Sequence, residues 1–187
     1  MKPVRLQAWS RKADGRVRPK RVIEGYNTGL ERGHGIFVDT VNNEVVATSE
    51  LAGAIYVFSR ETNGDVAPLR KIQGKKTQLV YPVNVFVDAV NDEIAVVEKG
   101  DKSLLFFPRT VNGDVAPVRV IKGPTTGLVE PYGIWIDKDQ IWVTNSTPFW
   151  KHKTEKPSEY EKQNSPAILV YPRHANGDVK PIRRNLW

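Results

Sequence analysis

Four copies of one short motif constrain this chain more than any other feature. Arg60-Glu61-Thr62-Asn63-Gly64-Asp65-Val66-Ala67-Pro68 returns as Arg109-Thr110-Val111-Asn112-Gly113-Asp114-Val115-Ala116-Pro117. Looser copies begin at Arg11, with Asp14-Gly15-Arg16, and at Arg173, with Asn176-Gly177-Asp178. The Asn/Asp-Gly pairs start at 14, 63, 112 and 176, in steps of 49, 49 and 64 residues. A period of this size marks propellers and solenoids.

Each period holds four strand signals and no convincing helical stripe. Strand A is Gly35-Ile36-Phe37-Val38-Asp39, with counterparts Asn84-Val85-Phe86-Val87-Asp88 and Gly133-Ile134-Trp135-Ile136-Asp137. These apolar runs lack polar alternation, which predicts strands buried on both faces. Strand B follows a polar turn at Glu44–Thr48, Glu93–Val97 and Gln140–Thr144. Strand C is Ala54–Phe58, Ser103–Phe107 and Ala167–Tyr171, and strand D lies around Leu69–Ile72, Val118–Ile121 and Ile182–Arg184. The recurring motif is then the C-to-D hairpin of each unit. Its glycine supplies positive φ cheaply, and the following Pro68, Pro117 and Pro181 suit an outer strand. Arg60, Arg109 and Arg173, at the end of strand C, are expected to pair with the turn acids Asp65, Asp114 and Asp178 or with turn carbonyls. Asp39, Asp88 and Asp137 are expected to cap the A–B turns through their side chains. Trp135 and Trp142 are expected in the core.

Four sequential antiparallel strands per period of about 50 residues describe a β-propeller blade. The run Thr-Gly-Leu, Pro-x-Gly-Ile-x-Val-Asp, Glu-Ile-x-Val-Thr and Ile-x-Val-Phe-x-Arg resembles the NHL-repeat and virginiamycin-B-lyase-like propellers over nearly all of residues 9–187. Gly33 departs from Pro82 and Pro131, and Asn84 from Gly35 and Gly133. The expected architecture is all-β, a single partial propeller over 1–187. It comprises a spare C–D hairpin at 1–32 and blades at 33–74, 82–123 and 131–185, the last carrying an insertion at 146–166. Three and a half blades fall short of the roughly four to eight that close a ring. Terminal blade faces would lie open, which leaves three options: a dimer with unusual closure, a ring shared with another subunit, or a fragment of a longer propeller.

Composition excludes little beyond this. The 187 residues are 40% hydrophobic and 26% charged, as expected of a soluble globular chain, and no apolar run approaches the roughly 18 residues of a membrane-spanning helix. The first residues lack the apolar core of a secretory signal, there are no cysteines, and the compartment is left undetermined. The net charge is +7, of which residues 1–32 hold nine basic against three acidic residues, or +6. That segment motivates an RNA-binding reading, although Arg21, Arg70, Arg119 and Arg183 are repeat positions whose charge serves the repeat.

The insertion mixes charge with aromatics, and Pro157-Ser158 predicts a short helix at 158–163. It should share a rim with the strand-A starts, which brings His34, Tyr132, Glu50, Glu98 and Asn145 near the insertion's Phe149, Trp150, Lys151 and His152. Tyr132, Asn145 and those four insertion residues are the candidate binding set. His34 with Glu50 or Glu98 is the candidate acid/base or metal pair under an enzymatic alternative, the lyase or lactonase chemistry that the resemblance implies. Only that alternative calls for a divalent cation; otherwise no cofactor is expected. Phosphate-binding glycine loops, His-x-x-x-His spacings and serine elbows are absent. The leading expectation is a non-catalytic interaction module with a protein partner, most simply another copy of itself.

Overall fold

The computed structural model describes residues 4–147, 156 and 158–186. It holds three four-stranded antiparallel sheets and one two-stranded sheet, each built from consecutive strands. The hairpin is β1 (Arg5–Ala8) and β2 (Arg21–Glu24). The first blade is β3 (Gly33–Asp39), β4 (Glu44–Ser49), β5 (Ala54–Ser59) and β6 (Arg70–Gln73). The second is β7 (Pro82–Asp88), β8 (Glu93–Glu98), β9 (Ser103–Pro108) and β10 (Arg119–Ile121). The third is β11 (Glu130–Asp137), β12 (Gln140–Ser146), β13 (Ala167–Pro172) and β14 (Arg183–Leu186).

The sheets stack through apolar faces. Val46, Ile55 and Val57 of the first blade pack with Val85, Ile94 and Phe107 of the second. The other face of the second blade, with Ala95, Leu104 and Phe106, packs with Ile134, Ile141 and Leu169 of the third. On the hairpin side, Val4, Leu6 and Ile23 cover Tyr56 and Phe58. Among the described residues, only the second blade is covered by a full sheet on both faces. The two-sided burial expected of strand A therefore holds at β7 and fails elsewhere: Ile36 and Val38 of β3, and Trp135 of β11, are exposed, and no strand among the described residues lies against them. Phe37, Phe86 and Trp135 form a ladder of edge-on rings, with centroids 4.8 and 5.1 Å apart, and Trp135 is its uncovered end. Trp135 is thus not the core residue that its apolar context predicts.

The repeated motif turns out to be a clasp between blades as well as a hairpin. Asn63 Oδ1 accepts from the Val22 N–H at 2.8 Å, Asn112 from Lys71 at 2.9 Å and Asn176 from Val120 at 3.0 Å. The next glycine, at φ +91°, +87° or +78°, donates its N–H to the carbonyl of that same residue in the preceding sheet. Asp65, Asp114 and Asp178 accept from the N–H of Asn27, Lys76 and Thr125, holding the turn that follows each strand D. A Cβ on Gly25, Gly74 or Gly123 would fall 2.1–2.3 Å from those carboxylates, so the glycine and the acid are two halves of one contact.

The expected pairing of the strand-C arginines with these acids is therefore corrected. Arg109 bonds to Asp92 and to Glu44 of the blade before it, and Arg173 to Asp88 of the blade before it and to the Lys138 carbonyl. The turn acids are already engaged by backbone donors, and the arginines are long enough to cross to the neighbouring sheet. Asp39 and Asp88 do cap their A–B turns, accepting from the N–H groups two and three residues on. The second set of arginines ties strand D to strand B within a blade, through Arg70–Glu44 and Arg119–Glu93. A helix α1 (Glu159–Asn164) lies in the insertion, opened by Ser158 and Glu161 in a reciprocal capping box.

Candidate functional site

The rim at the start of the A strands carries two charged clusters, each a variation on one set of repeat positions. In the first blade, Glu50 Oε2 lies 2.9 Å from Arg32 Nε and 3.1 Å from His34 Nε2. Neither contact is aligned as a hydrogen bond, which leaves this buried oxygen without one. The second cluster spans the second and third blades. Lys99 Nζ lies 2.8 Å from Glu130 Oε1 and donates to the Tyr132 hydroxyl at 2.6 Å, while that hydroxyl donates to Glu130 at 3.2 Å. Glu130 and Tyr132 hold the Lys99 ammonium above the usual lysine range, outweighing the opposing effect of its partial burial.

Lys99 and Glu130 were not singled out from sequence, but their positions carry a signal. Lys99 stands where the first blade has Glu50, and Glu130 where it has Arg32. Both signs are reversed, so the second cluster is the first with its charges exchanged and moved across a blade junction.

Glu98 and Asn145 sit elsewhere in the same motif. Glu98 accepts from the N–H groups of Val80, Tyr81 and Gly100. Asn145 accepts from Val129 and Glu130 and donates to the carbonyls of Gly127 and Asn164. Ser49, at the equivalent position, accepts from Glu31. All three fasten the segment entering strand A, and both Glu98 and Asn145 are buried. Asn145 also ties the end of α1 to this junction. Phe149, Trp150, Lys151 and His152 lie outside the described residues. Among the described residues, no three His, Asp or Glu side chains are placed to hold a metal ion.

Burial pushes the Glu98 carboxyl above the usual range, against its backbone donors. The ionised form is then the disfavoured one in the fold. Glu98's contribution to stability is full below the ordinary glutamate range and declines as pH rises through its raised folded value. Asp88 has the opposite sign. Burial pushes it up, but Arg173 and the turn N–H groups prevail and hold it low, so its contribution is present at neutral pH and lost in acid. Glu98→Gln is expected to add a fixed penalty for one lost acceptor and to remove the decline between acid and neutral pH. Urea midpoints of the two proteins across that range would show it.

No family model matches the chain, and no curated protein matches it. Solved structures do match in shape. A nidogen/laminin complex aligns with TM-score 0.59 and 14% identity, over 90% of this chain and 52% of that one. The fold is a β-propeller, left open. A Bacteroides caccae protein of unknown function aligns with TM-score 0.62 and 10% identity, over 98% and 60%. A Bacteroides uniformis protein assigned as a candidate 6-phosphogluconolactonase aligns with TM-score 0.57 and 12% identity, over 90% and 47%. At these identities the likeness is one of fold alone. The chain spans about half the length of the first structure and three fifths of the second, so its arc corresponds to part of a larger propeller domain.

Proposed function

We propose that this chain is a non-catalytic propeller module that works by association, joining its open blade faces to another subunit, in the simplest case a second copy. The observation that carries this is the trailing face of the third blade. Trp135 is 60% exposed there, although its equivalents Phe37 and Phe86 are each capped by the ring of the next blade. Trp142 shares that face, beneath the Arg183 guanidinium at 4.8 Å. A face whose two internal counterparts are covered by the next blade is suited to another propeller surface, and large aromatics beside arginine are what interface centres favour.

Tyr132, exposed on the rim, is the proposed contact for a protein partner, together with the insertion's Phe149, Trp150, Lys151 and His152. Asn145 is buried and holds the segment entering strand A and the end of α1. The test is sedimentation velocity on the intact chain and on Trp135→Glu. The intact chain is expected to self-associate in the micromolar range and the variant to sediment as a smaller species. Identical behaviour of the two would remove the trailing face from the interface.

A further inference from the structure

The leading side of the first blade departs furthest from the repeat, and the internal junctions show what is missing. In the second and third blades the strand-A residues facing the preceding blade are Val85 and Val87, 2% and 3% exposed, and Ile134 and Ile136, 8% and 6% exposed. Ile36 and Val38 hold the same positions in the first blade and are 51% and 48% exposed. Among the described residues the sheet ahead of them holds β1 and β2, and no strands stand at its A and B positions. The result is a slot two strands wide, floored by Ile36 and Val38. Along one side runs the edge of β1, which among the described residues pairs with β2 alone.

Charge marks the end of this slot. Arg60, Arg109 and Arg173 occupy one repeat position, since the backbone N–H of each bonds to the A–B turn of its own blade, at Asn43, Asp92 and Asp139. The Arg109 guanidinium reaches Glu44 of the preceding A–B hairpin at 3.2 Å, and Arg173 Nε reaches Asp88 of the preceding one at 2.9 Å. Those two side chains are 14% and 13% exposed. Among the described residues, the sheet ahead of Arg60 has no A–B hairpin. Its side chain is 37% exposed, and its ion-pair contact is with its own neighbour Glu61 at 3.8 Å.

We infer that the slot is a docking site for a β-hairpin of a partner protein, formed of two apolar strands whose connecting turn carries a carboxylate. One strand pairs along the free edge of β1 and its main-chain bonds supply affinity. The side chains of both strands cover Ile36 and Val38, and the turn carboxylate meets Arg60, which sets polarity and register. The carboxylate is specified because both internal junctions supply one at this arginine. A separate partner is favoured over a second copy because the three A–B hairpins among the described residues are already built into blades, and a second copy would have to open one to donate it. This inference deepens the association reading and rests on it.

A synthetic peptide with the sequence of residues 82–98 is the probe, since those residues form an A–B hairpin whose Asp88 meets Arg173. Labelled peptide would be titrated with the full chain and followed by fluorescence anisotropy, while amide exchange is read at residues 5–8. The expected result is saturable one-to-one binding with protection of the β1 amides. Arg60→Glu should weaken it by about tenfold, and an Asp88→Lys peptide should restore binding to that variant. Binding no better than that of a scrambled peptide, or unaffected by Arg60→Glu, would overturn the assignment. Protection of residues 5–8 that grows with the concentration of the chain alone would give the slot to a second copy and overturn the partner. A chain that stays monomeric yet binds the peptide would retain the slot and discard self-association; one that associates without binding it would do the reverse.

Discussion

Phe107→Ala is expected to lower the unfolding free energy by about 3–5 kcal/mol, because it removes a fully buried ring at the junction of the first two blades and leaves a cavity that rigid sheets close poorly. Trp135→Ala, which deletes a larger but mostly exposed ring, is expected to change stability by about 0.5 kcal/mol or less. Urea denaturation of both variants at concentrations that keep the chain dissociated measures the contrast. Equal costs would mean that the trailing face of the third blade is covered after all.

Arg173→Ala is the second large effect, expected at about 3 kcal/mol. It strips the charge partner from Asp88, a buried carboxylate that the A–B turn holds in place and cannot turn out to solvent. Arg60→Ala, the same substitution at the same repeat position, is expected to stay within about 0.5 kcal/mol, since its ion-pair contact is partly exposed. In the Asp88→Ala background Arg173→Ala should cost less than alone, because the stranded charge is gone. Additive costs would mean that the two side chains do not act as a pair.

The fold was legible in the sequence because a propeller repeats its turn chemistry along with its hydrophobic pattern. Asn-Gly-Asp at a 49-residue spacing fixed the hairpins, and the apolar runs between them fixed the strands. The partners of the arginines were not legible. A charge within a repeat looks local, but Arg109 and Arg173 reach the sheet 65 and 85 residues earlier in the chain. Sequence spacing within one unit cannot show that. Exposure of Ile36, Val38 and Trp135 was hidden for a related reason: a repeat position is buried only if the neighbouring unit is complete. On the rim, the His34–Glu50 contact was legible from adjacency, whereas Lys99 and Glu130 required an alignment of sign between blades. Glu98 resembled a rim acid, yet it lies one residue before the rim position and turns inward to backbone donors.

Light scattering of the full chain across the micromolar range tests the central claim in its simplest form, that an open arc of three blades and a hairpin associates with a second copy of itself. The account predicts a mass that rises with concentration toward a multiple of the single chain. A mass equal to one chain throughout, with Trp135 and Ile36 exposed to solvent, would contradict it.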